Sequence, residues 1–182
     1  MSQDATSPSD AKRWLILFWG VGGVVAILLN AVIGIFPLVV EGLREYSLTL
    51  PQWLFLGAWV PFMWFSEGYR GFQSSFSPRV VARGFYLAEH RRPLHIALAP
   101  LFCMGFFHAD RRTIIVAWSV TIGVVCAVLL VGQLTQPWRG ILDLGVIVGL
   151  VWGIGVIGVL VIRGRRADSD PRLPLIRPEG IV

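Results

Sequence analysis

The chain has 182 residues, 55% of them hydrophobic and only 15% charged, with a formal net charge of +5. With a mean hydropathy of +0.68, this composition excludes an ordinary water-soluble domain and a disordered chain, and the length leaves room for one membrane domain with no separate soluble one. The two cysteines, Cys103 and Cys126, both lie in apolar surroundings, which argues against a secreted disulfide framework.

The polar leader over residues 1–13 reads as a disordered cytoplasmic segment. It ends in Lys12 and Arg13, and the first span is predicted from about Trp14 to Leu38. A cleaved signal peptide would have an apolar core of only ~7–15 residues and a small-residue cleavage site, whereas this run continues through LLNAVIGIFPLVV, so it reads as a retained anchor. A second span is predicted over about 49–66, with Pro51 in the first helical turn and Trp53 at the interface.

Glu67 marks the exit from that span, and the two glycines flanking Tyr69 and Arg70 in EGYRGF predict a turn that sends the chain along the membrane surface. Ser77-Pro78 reads as a helix start and Pro93 as its limit. Across 78–92, Arg79, Arg83, Tyr86 and His90 recur at spacings of four, three and four, which predicts a basic amphipathic helix on the cytoplasmic surface. The run 94–107 that follows would form a helix of only ~21 Å against a hydrocarbon core of ~30 Å, and Pro100 interrupts it. It is predicted as a re-entrant or half-buried segment, tethered by Arg91-Arg92 before it and Arg111-Arg112 after it. Two further spans are predicted at about 113–134 and 141–162, joined by the tight TQPWRG turn, and 167–182 reads as a flexible cytoplasmic tail.

Charge fixes the expected topology, because lysine and arginine in short loops accumulate on the cytoplasmic side. With four spans and both termini inside, only Arg44 and Arg139 of the sixteen basic residues fall outside; if 94–107 crossed, the basic residues would divide evenly. The fold class expected is therefore an all-α integral membrane bundle of four transmembrane helices, with an amphipathic helix and a re-entrant segment on the cytoplasmic side.

The basic and aromatic set Tyr69, Arg70, Arg79, Arg83, Tyr86, His90, Arg91, Arg92, Arg111 and Arg112 is expected to contact anionic lipid, a partner membrane protein or a second copy. Asn30 and the stripe Gly145, Gly149 and Gly153 are expected to pack helices, through a hydrogen bond and close approach respectively. Asp143 sits one turn after Arg139, as an interfacial ion pair would. His95 and His108 bracket the re-entrant segment and are weak candidates for a haem or quinone site, but no third ligand stands at coordinating spacing, so neither a metal nor another cofactor is expected.

No phosphate loop, intramembrane aspartate pair, HExxH or GxSxG is found, so no catalytic residue is assigned and no enzyme is expected. No mid-membrane acid is evident for proton-coupled transport, which disfavours a small transporter; nucleic acid is not an expected partner. The segments EGYRGFQ, SPRVVAR, APLFCMGFFHA and QPWRGI resemble a family of small uncharacterised inner-membrane proteins of Gram-negative bacteria. The resemblance covers roughly the whole membrane domain, implies a bacterial inner-membrane location and transfers no activity. The function expected is that of a non-enzymatic accessory or scaffold subunit of a membrane complex.

Overall fold

The computed structural model describes residues 8–90 and 92–169. All regular structure in them is helical: α1 (Pro8–Arg44), α2 (Leu50–Met63), a π-helix (Trp64–Phe76), α3 (Ser77–Glu89), α4 (Pro93–Ala97), α5 (Ala99–Met104), α6 (Arg111–Val131) and α7 (Trp138–Ser169). Three helices are long and apolar enough to cross a membrane, over Ala11–Arg44, Arg111–Val131 and Trp138–Arg166. The tail 170–182 and Arg91 lie outside the described residues, as does most of the expected leader; α1 already begins at Pro8 rather than at Trp14.

The largest departure from expectation falls between α2 and α3. The EGYRGF segment does not turn: α2, the π-helix and α3 form one helix, unbroken from Leu50 to Glu89. Its start is fixed by Thr49, whose N–H and hydroxyl both donate to Gln52 Oε1, and by Pro51 in the first turn. Glycine weakens a helix without ending it when neighbouring helices supply packing. Here Gly68 lies directly against Trp152 of α7. Ser77-Pro78 likewise starts no separate helix: Phe76 before it is already in right-handed helical conformation, and the Ser77 N–H bonds five residues back to the Phe72 carbonyl.

Three long helices form the bundle. α1 runs antiparallel to α7, with Gly42 and Gly140 in contact at one end, where Gln136 also donates to the Leu38 carbonyl. At the other end Arg165 lies over the Trp14 ring. The 50–89 helix runs parallel to α7, from the Trp59 Nε1–H bond to the Leu142 carbonyl to the packing of Val80 and Ile157 in one core. It ends beside Arg13, which pairs with Glu89 at 3.1 Å. The core joins Leu17, Val21, Val24 and Leu28 of α1 to Val80, Val81 and Ala88 of α3. The α4–α5 hairpin folds back against α1 and α3, breaking at Leu98. α6 stands largely apart, and none of its residues is buried.

Candidate functional site

Two polar features stand out in this apolar frame, and the first is organised by Arg83. The sequence places Arg83 on an open basic face, but the structure buries it at 2% exposure beneath the α4–α5 hairpin. Its Nε–H donates to the Phe102 carbonyl at 2.7 Å, and Nη2 donates to the carbonyls of Phe107 at 2.9 Å and His108 at 3.1 Å. The guanidinium also lies 4.2 Å from the Phe102 ring centroid. These carbonyls end α5 and form the turn after it, where the chain leaves helical pairing through Gly105 at φ 88° and His108 at φ 49°. Carbonyls at a helix end carry partial negative charge and keep a lone pair free even where a turn N–H reaches them, as Gly105 N–H reaches Phe102, and a planar, multiply donating cation suits them.

The basic face of α3 is thus covered where the sequence reads it as open. Arg79 is half-buried alongside the same turn, near Gly105. Tyr86 is half-buried, and His90 is exposed and stacked on it. Arg92, Arg111 and Arg112 are exposed, and Arg91 is outside the described residues. His95 is buried and stacked on Phe102, and its ring centroid lies 4.3 Å from that of His108. A bis-histidine haem needs the porphyrin between its two rings, and that separation leaves no room for one.

The hairpin is anchored to α6 by Asp110, which caps that helix by accepting from the Thr113 N–H and hydroxyl. The Thr113 hydroxyl and N–H hold the Asp110 carboxyl below the ordinary carboxylate range. A group depressed in this way stabilises fully above its unfolded-state pKa and loses that contribution as pH falls through the folded value. Asp110→Asn keeps an accepting cap without the charge, so it is expected to flatten the acid side of the thermal stability profile measured in detergent from pH 7 to 3.

The second feature is the π-helix, midway along the bundle. Between the Gly42–Gly140 contact and the Arg165–Trp14 contact, Trp152 and Gly153 mark the middle of α7. There Trp152 Nε1–H donates to Gln73 Oε1 at 3.0 Å, the Ser77 hydroxyl donates to the Gly153 carbonyl, and the Phe72 ring fills the space a Cβ at Gly153 would need. Residues four or five apart share a face where hydrogen bonds run over five residues. Gly68, Phe72, Gln73 and Ser77 accordingly turn toward α7, while Ser66, Gly71 and Ser75 lie opposite. Tyr69 and Arg70 are exposed here, and so is Glu67, beside Gly149. Neither the Glu67 carboxylate nor the Arg70 guanidinium has a hydrogen bond or ion pair among the described residues.

The remaining expected packing residues divide. Gly145 meets Trp59 and Met63, Gly149 meets Glu67, and Gly153 meets Phe72, so the glycine stripe faces the 50–89 helix of the same chain. Asn30 is exposed on α1 and bonds to no other helix among the described residues, contrary to its expected interhelical role. Arg139 and Asp143 approach to 3.8 Å at i, i+4. A groove of about 510 Å³ runs beside α7 along Gln73, Trp152 and Arg163. The described residues contain no group of three or more potential metal ligands. Comparison with protein-family models, curated proteins and solved structures found no match for the chain.

Proposed function

We propose that this chain is a non-enzymatic scaffold of the bacterial inner membrane, crossing four times with both termini cytoplasmic, and that it works by lateral association inside the bilayer. The observation that carries this reading is the pair Glu67 and Arg70 midway along the bundle, whose charged groups are unpartnered among the described residues. Glu67 lies beside Gly149, about one helical turn or ~5 Å from the middle of α7. A hydrocarbon core of ~30 Å extends ~15 Å either way, so both charges fall within it. Each charged side chain at such depth costs about 2.5–3.5 kcal/mol against lipid, a cost that protein contact offsets. The exposed basic residues at the Arg13–Glu89 end suit contact with anionic headgroups.

Topology is tested by labelling single cysteines in whole cells and inverted vesicles. Lys12, His90, Arg111 and Arg166 positions are expected on one side, and Glu45 and Gln133 on the other. Labelling of Arg111 opposite His90 would make 94–107 a crossing and break the four-span reading. Lateral association is tested by purifying the tagged chain in mild detergent. Elution as a lone monomer, with neither a second copy nor another membrane protein, would end the scaffold reading.

A further inference from the structure

We propose that the outward face of the π-helix is a two-fold interface with a second copy of this chain, in which Arg70 of one protomer pairs with Glu67 of its partner. The inference rests on the membrane reading above and names the partner that reading leaves open.

The face has a centre and two edges. Its centre is Ser66, Gly71 and Ser75, spaced five and four as the π-helix requires. A Cβ at Gly71 would meet only the Ser66 carbonyl of its own helix, at 3.5 Å, so no other described element comes within 4 Å of it. The hydroxyls of Ser66 and Ser75 are turned back onto the carbonyls of Phe62 and Arg70, leaving a shallow surface of small side chains on which a second helix can approach closely. Arg70 stands on one edge of this centre. Glu67 stands on the other, where it borders α7.

That arrangement is self-complementary. Under a two-fold axis parallel to the bundle, one edge of the face on one protomer meets the opposite edge on its partner. The Arg70 edge therefore meets the Glu67 edge, twice over, as an isologous contact demands. The two residues are three apart in sequence, so their axial offset is within the reach of an arginine side chain. Neither charged group has a partner among the described residues. Lipid offers none at this depth, whereas a second copy supplies both complements and buries them together.

The test uses the full chain in mild detergent, with mass measured by light scattering and helicity by circular dichroism. The wild type is expected to be a dimer. Glu67→Arg and Arg70→Glu, with wild-type helicity, should each weaken self-association at least tenfold. The double exchange, Glu67→Arg with Arg70→Glu, should restore it, since it re-creates the pairing with its signs reversed. Should the charge variants misfold, cross-linking in membranes keeps the question open to decision. Ser75→Cys, in a Cys126→Ser background that removes the exposed thiol on α6, should give a disulfide-linked dimer on mild oxidation, while wild-type Cys126 should not. A monomeric wild type, an exchange that stays weak, or Ser75→Cys failing to cross-link would overturn the inference. A monomer that still co-purifies with another membrane protein would remove the second copy as partner while leaving the scaffold reading standing.

Discussion

Replacing Arg83 with methionine is expected to cost about 1–3 kcal/mol of stability, the penalty for leaving buried acceptors without their donor. Methionine keeps much of the length and the contact with Phe102 but has no donors. The carbonyls of Phe102, Phe107 and His108 would then lose their bonds to Nε and Nη2 beneath the hairpin. The loss should be local: the α4–α5 hairpin should loosen before the three-helix core of Leu17, Val24, Val80 and Ile157 does. Arg79→Met serves as the control, because Arg79 is half-buried beside the same turn and makes none of these bonds. Thermal unfolding in detergent and limited trypsin cleavage at the exposed Arg111-Arg112 pair read the two effects. An unchanged midpoint and cleavage rate in Arg83→Met would mean that the guanidinium does not hold the hairpin.

Gly140→Leu is expected to destabilise by about 1–3 kcal/mol through overpacking. A Cβ at Gly140 would lie 3.0 Å from both the Gly42 Cα and the Leu38 carbonyl oxygen. These are backbone atoms that cannot swing aside, so α1 and α7 must separate where the Gln136 side chain bridges the Leu38 carbonyl and the Gly140 N–H. Gly155→Leu on the same helix should be nearly neutral, since nothing lies within 4 Å of its Cβ position. Equal losses at the two sites would show that helix propensity, and not this contact, sets the response.

The difference between these glycines illustrates what sequence can and cannot say. The stripe Gly145, Gly149 and Gly153 is visible as a period of four, and its role in close approach follows from residue size. Gly140 belongs to no such pattern. Its importance comes from Gly42, distant in sequence and brought opposite it by the antiparallel pairing of α1 and α7. Gln136 is equally silent in the sequence, reading only as part of a polar turn.

Arg83 marks the same boundary from the other side. Its spacing from Arg79, Tyr86 and His90 does define a face, but periodicity does not tell a face covered by carbonyls from one covered by water or headgroups. Only the return of 94–107 across α3 brings backbone carbonyls to that face, and they turn an apparent surface arginine into an interior clamp. The reading of Glu67–Phe72 as a surface turn fails for a related reason. Charge and glycine mark a helix end when each segment is judged alone, yet α7 packs along this stretch with Trp152 and Gly149 and keeps the chain helical.

That the chain is helical and carries long apolar segments follows from local information: hydropathy, the period of the pattern, and Pro51 in a first helical turn. Local information also placed Arg139 and Asp143 as an i, i+4 pair, which helix geometry alone dictates. It took the packing of remote segments to make 50–89 one helix, to bring Arg83 inside, and to leave the charged groups of Glu67 and Arg70 without partners among the described residues halfway along the bundle. Each of these depends on which residues of α1, α5 and α7 come opposite, a matter of packing between segments remote in the chain that no local pattern encodes.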